Sequence, residues 1–157
     1  MIHRGGLTKI LQELEASSFI TQIPAFKKKH KDFIYRLSDE YSLFYLKFME
    51  RKVFTGKDEW QKASAKNKYK IWVGYAFESI CIKHVEAIKM ALGISGIYTE
   101  TSSYFHKGNE TTERLQVDLV IDRAHRAINL YEIKFYNDDF IMIDAFTTYF
   151  EKKKATV

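Results

Sequence analysis

A single cysteine among 157 residues removes whole classes of fold and chemistry. One thiol cannot build a disulfide framework, and Cys81, spaced with Phe77 and Val85, is read as a core thiol. His84, His106 and His125 have no metal-ligand spacing with one another or with Cys81, so a zinc site is not expected. No Gly-x-x-x-x-Gly-Lys-Ser/Thr run occurs. The nearest string, Thr55-Gly-Lys-Asp58, has no phosphate loop before it and an acid after it, which excludes a P-loop ATPase. There is no signal peptide, long apolar run, lipidation motif, internal repeat or low-complexity tract; the cytoplasm is the expected compartment and no membrane partner is expected.

What the chain does have is ample material for a core, at 46% hydrophobic and 15% aromatic residues. The length fits one domain, or one small and one medium unit. The net charge of +5 is modest and is accounted for by Lys27, Lys28, Lys29 and Lys31 together with Lys152, Lys153 and Lys154. It permits nucleic-acid affinity without requiring it.

The line from Gln116 to Lys134 carries the most chemical information. It reads as two strands joined by a short polar turn near His125. Side chains alternate along a strand, so Val117, Leu119 and Ile121 are expected on one face and Gln116, Asp118 and Val120 on the other. In the second strand Leu130, Glu132 and Lys134 share a face. A turn at His125 sets Asp118 opposite Glu132 and Gln116 opposite Lys134. Two carboxylates that close repel unless a cation lies between them. Mg²⁺ takes one or two carboxylates plus water and phosphate oxygens, and a nearby ammonium can stabilise charge on phosphate. The bland alternative is a surface sheet face with ordinary ion pairs.

Glu-x-Lys occurs three times in the chain, so the string alone is weak. Glu50-Arg-Lys52 and Glu151-Lys-Lys153 fall in charged stretches expected to be exposed. Only Glu132-Ile-Lys134 is flanked by Leu130, Tyr131 and Phe135. A helix opening at Gly74 and running to about Leu92, with Val73, Phe77, Ile80, Val85, Ile88 and Leu92 on its apolar face, places Glu78 in its first turns. There the macrodipole would favour an acid, or the carboxylate could face the sheet.

At the N-terminus, Leu7, Ile10, Leu11 and Leu14 predict an amphipathic helix. Phe19–Ile23 and Phe33–Leu37 predict strands on either side of Lys27-Lys-Lys-His-Lys31. Helix, strand, basic loop and strand make the back half of a winged helix, with the lysines at a wing tip able to contact DNA phosphates. Residues 39–52 predict a helix packing the two parts together, and 55–70 a polar connector that could hold one helical turn. The organisation expected is thus a partial winged helix and packing helix at 1–52, a connector at 53–70, and a second unit at 71–157.

A helix with Glu78 followed by three strands carrying Asp118 and Glu132-x-Lys134 resembles the αβββ core of the PD-(D/E)XK nuclease superfamily. More closely, residues 5 to 144 resemble the C-terminal region of a family of bacterial and archaeal AAA-type ATPases. The resemblance is carried by Tyr35–Phe48, Trp72–Glu78, Ala91–Gly96, Gln116–Arg123 and Tyr131–Phe135. It implies an α+β fold, a partial winged helix followed by a restriction-endonuclease-like core. It further implies that Asp118 and Glu132 bind Mg²⁺ or Mn²⁺, that Glu78 assists them, that Lys134 is catalytic and that Gln116 is a polar position of the motif. The superfamily core continues with a helix and a further strand after Glu-x-Lys, for which Phe140 to Val157 leaves little room. An incomplete C-terminus and an ATPase domain supplied in trans, or lost by truncation, are expected. An unfinished sheet leaves an edge at which a homodimer could form. Two other functions stay open: a non-catalytic regulatory or interaction module of an ATPase, and a metal-independent DNA-binding protein.

Overall fold

Residues 4–28, 32–50, 56–110 and 113–157 are described by the computed structural model. Helix α1 (Arg4–Ala16) leads into an antiparallel hairpin of β1 (Ile20–Pro24) and β2 (Phe33–Leu37), in register Ile20↔Leu37 to Pro24↔Phe33. The expected order of helix, strand, loop and strand is present. Ser18, at φ 60°, turns the chain out of α1, and the Phe19 N–H returns to the Leu14 carbonyl at 3.0 Å. The apolar stripe of α1 is not buried: Leu7, Ile10 and Leu14 are all exposed.

Asp39 starts α2 (Glu40–Phe44) by accepting the N–H groups of Tyr41 and Ser42, both at 3.2 Å. The helix widens into π-turns over Tyr45–Met49. Phe44 and Phe48 on this segment meet Trp60 and Trp72 edge to face, at ring-centroid distances between 5.3 and 6.1 Å. This aromatic cluster packs the segment against α3 (Glu59–Ser64) and α4 (Asn67–Lys83).

The polar connector is more helical than its composition indicates. Glu59–Ser64 form α3, and α4 (Asn67–Lys83) begins well before Gly74. The chain then breaks at His84, and α5 (Val85–Ala91) follows. Trp60, Tyr69 and Trp72 hold these turns against Phe48, so tertiary packing overrides local polarity. Glu78 thus lies deep inside a helix rather than in its first turns, and the macrodipole does not explain it. Ile80, expected on the apolar face, is 47% exposed, whereas Ala76, Glu78 and Ser79 are buried. Gly93, at φ +68°, closes α5 with the Ile94 N–H on the Lys89 carbonyl at 3.0 Å.

Strands β3 (Thr99–His106), β4 (Leu115–Arg123) and β5 (Ala127–Tyr131) form an antiparallel sheet in the order β3-β4-β5. The β4–β5 register, Leu119↔Tyr131 to Arg123↔Ala127, is the one expected from a turn centred on His125. That turn has Arg126 at φ 61°, and the Arg126 N–H donates to the Arg123 carbonyl at 3.1 Å. A non-glycine side chain is strained there. Arg126→Gly is expected to stabilise the fold by about 0.5–1 kcal/mol, the strain relief being partly offset by unfolded-chain entropy. A urea midpoint that falls would contradict this.

The expected alternation along β4 fails at one end. Ser102 pairs with Val120 and Tyr104 with Val117, so β4 carries one extra residue at Asp118–Leu119. Val117 consequently packs with Val120 and Phe26, while Leu119 and Ile121 pack with Ile94 on the other side. The Ser103 hydroxyl donates to the Asp118 carbonyl at 2.9 Å across this bulge. Bulges of this kind re-aim side chains.

The first sheet meets the second where Ala25 bridges Ser103 and the Phe26 N–H donates to the Ser103 carbonyl at 2.9 Å. After Tyr131 the chain runs without regular structure to α6 (Asp144–Thr156). A helix therefore does follow Glu-x-Lys, and Phe140–Ile143 before it have no regular structure. The fold is α+β, with two small antiparallel sheets and helices around them. Among the described residues no helix is long and apolar enough to cross a membrane.

Candidate functional site

Asp118 is 5% exposed, and the bulge of β4 brings it to the end of β5. Extending the β4–β5 register by one pair sets it opposite Glu132. Regular pairing nevertheless stops at Tyr131, because the Asp118 carboxylate takes the Ile133 N–H at 2.9 Å. Glu132 and Lys134 therefore lie just past the strand in which they were expected. The Gln116 amide donates to the other Asp118 oxygen at 3.2 Å. Lys134 Nζ lies 2.6 Å from Glu132 Oε1 and 3.8 Å from Asp118 Oδ2, and one cation thus touches both acids.

Burial raises the pKa of Asp118 above the ordinary carboxylate range. The Ile133 N–H opposes this, the charges of Glu78 and Glu132 reinforce it, and Lys134 opposes it. For Lys134, burial works against the ammonium, but the hydrogen bond to Glu132 and the charges of Glu132, Asp118 and Glu78 outweigh it and raise its pKa. Lys134 is therefore charged at neutral pH. A charged ammonium can stabilise negative charge but cannot take up a proton.

Glu78 reaches Asp118 through its field, and its carboxylate is held by the guanidinium of Arg36. Arg36 also donates to the Ser79 hydroxyl at 3.1 Å and to the Tyr75 carbonyl at 3.4 Å. Lys83 bridges Glu40 at 2.8 Å and the Ser38 carbonyl, so β2 and α2 are tied to α4. A buried acid needs such a partner. Cys81, one turn on from Glu78, is free and half-buried; burial and then the Glu78 charge raise its pKa.

The expected exposure of Glu151-Lys-Lys153 is wrong for its last residue. Lys153 is 1% exposed, its ammonium is bonded to Glu132 Oε2, and it lies 4.4 Å from the centroid of the Tyr149 ring. A signal for it existed. Phe146, Phe150, Lys153 and Val157 recur at helical spacing, which puts Lys153 on the inward face of α6. The composition of the Lys152–Lys154 run masked that period. Arg36 was likewise missed as a site residue, since an arginine in a strand beside a basic loop reads as surface charge.

The basic loop is only partly described. Lys27 folds back, donating to the backbone oxygen of Val157 at 2.6 Å with its ammonium 5.2 Å from the Phe26 ring. Lys28 is exposed, and Lys29 and Lys31 lie outside the described residues.

Two cavities flank the acids. One, of about 650 Å³, is lined by Arg36, Tyr75, Glu78, Phe105, Arg114 and Gln116 among others. The other, of about 550 Å³, is lined by Glu132 and Lys134 and by Tyr136, Phe140, Phe146 and Phe150.

The donor set suits a hard divalent cation. Asp118 and Glu132 offer only oxygens, each carboxylate keeps acceptor capacity beyond its present bonds, and Lys134 already marks a point within reach of both. Among the described residues no three His, Cys, Asp or Glu side chains converge into one metal-binding group. No family model matches this chain, and neither the curated proteins nor the solved structures contain a match to it.

Proposed function

We propose that the chain is a metal-dependent nuclease domain that hydrolyses phosphodiester bonds of DNA or RNA. On this reading 1–52 is a partial winged helix, the β3–β5 sheet with α4 is a restriction-endonuclease-like core, and the whole comes from the C-terminal part of an AAA-type ATPase. The observation that carries the reading is the Asp118–Glu132 pair with Lys134 in ion-pair range of both acids, Glu132 and Lys134 lining the smaller cavity. Asp118 and Glu132 would hold Mg²⁺ or Mn²⁺, with Glu78 adding negative field. When bound, the metal supplies a water nucleophile of lowered pKa and polarises the phosphoryl oxygen. Lys134 stabilises the charge that develops on phosphate, and Gln116 and the Ile133 N–H fix the Asp118 carboxylate. Arg114 gives the larger cavity a positive charge toward a phosphodiester backbone, the charge of Arg36 there being offset by Glu78.

A second reading, a non-catalytic interaction module of an ATPase, is favoured by one feature. Both oxygens of Glu132 are taken by lysines and Glu78 is taken by Arg36. The outer edge of β5 has no paired strand among the described residues, and a second copy or a partner would add there.

The test is a cleavage screen over single- and double-stranded DNA and RNA with Mg²⁺ or Mn²⁺, repeated with EDTA. Metal-dependent products lost on chelation support the nuclease. No product on any substrate, with no Mn²⁺ heat in calorimetry, leaves the interaction module.

A further inference from the structure

A lysine buried to 1% exposure beside a candidate metal ligand needs a reason of its own. Lys153 is bonded to one oxygen of Glu132 while Lys134 holds the other. Around the site three acids, Asp118, Glu132 and Glu78, face three cations, Lys134, Lys153 and Arg36. The cluster is already neutral. A divalent ion entering it adds two positive charges and competes for the carboxylate that Lys153 occupies.

Of the three cations, Lys153 is the one free to yield on functional grounds. Arg36 also anchors β2 to α4 through Ser79 and Tyr75, and Lys134 is the rim ammonium at 48% side-chain exposure. Lys153 comes from α6, which follows a stretch without regular structure in which Ile141, Met142 and Ile143 are all exposed. The cavity lined by Phe146, Phe150 and Glu151 of α6 adjoins Glu132, giving the released side chain space to enter.

We propose that Lys153 is a built-in counter-ion that occupies Glu132 in place of the divalent metal, so that metal loading requires the Lys153–Glu132 pair to open. This rests on the nuclease reading. It makes α6 part of the site and gives the domain a resting state in which its acids are neutralised from within.

Mn²⁺ titration calorimetry on the full chain tests it with the wild type, Lys153→Met and Lys153→Arg. Lys153→Met is expected to bind Mn²⁺ about tenfold tighter or more, since a positive charge beside the ion is gone. Lys153→Arg is expected to keep the wild-type affinity. Equal affinity in all three proteins overturns the counter-ion role and leaves the metal site standing. No binding in any of them overturns both. A measurement on the wild type alone guards against a variant that fails to fold. Acetic anhydride labelling read by mass spectrometry should find Lys153 protected without metal and labelled at saturating Mn²⁺. Protection that is unchanged at saturation overturns the proposal.

Discussion

Asp118→Asn is expected to remove metal binding and to lower phosphodiester hydrolysis by roughly 10²–10³-fold or more, while the protein still folds. The substitution deletes one of the two carboxylates proposed to hold the metal and keeps the shape of the side chain. Its stability cost is small because two effects oppose each other. Asparagine has one acceptor oxygen, so either Gln116 or Ile133 loses its bond, at about 1–3 kcal/mol. Against that, a buried charge facing Glu78 and Glu132 disappears.

The two effects separate by pH. Folding raises the Asp118 pKa, so the folded chain binds its proton more tightly than the unfolded chain. The stability this contributes is present below the ordinary carboxylate value and is lost as pH rises through the raised value. Wild-type stability minus that of Asp118→Asn should therefore fall with rising pH across that window. Urea titrations at several pH values measure the difference, and a flat difference would show that Asp118 is not strained by its surroundings.

Glu132→Leu is expected to be the most destabilising single change at the site, at about 3–5 kcal/mol. The leucine removes the one anion bonded to Lys153 among the described residues; the Lys153 side chain is 1% exposed, and its ammonium otherwise has the face of Tyr149. Lys134 also loses a partner, but it is half-exposed and water replaces the bond. The reverse change is gentler, because Lys153→Met leaves Glu132 with Lys134. The double variant, Glu132→Leu with Lys153→Met, should recover most of the loss, as apolar pairs often substitute for buried ion pairs without penalty. Thermal or urea unfolding of the three variants measures the coupling. Additive losses would mean that Lys153 and Glu132 do not depend on each other.

How much of this was legible beforehand depended on the range of the interaction. Period-two alternation and a polar turn at Ala124–Arg126 were enough to set the register from Leu119↔Tyr131 to Arg123↔Ala127, because a hairpin register is a local property; Asp118 and Glu132 lie one position beyond it. The α1–β1–β2 succession was legible for the same reason. Helix α3 and the start of α4 were not, because Lys- and Asn-rich turns become helical only when Trp60, Tyr69 and Trp72 find Phe48.

The sequence by itself determined the α+β class, the β4–β5 hairpin and the coincidence of two acids and a lysine at its end. Tertiary structure alone decided the bulge at Asp118–Leu119, the capture of Glu78 by Arg36 and the burial of Lys153 against Glu132. Alternation and turn chemistry act between near neighbours and leave a trace in the pattern of residues. The partner of a buried charge is chosen by whichever distant element packs beside it: β2 lies 42 residues from Glu78, and α6 reaches back 21 residues to Glu132.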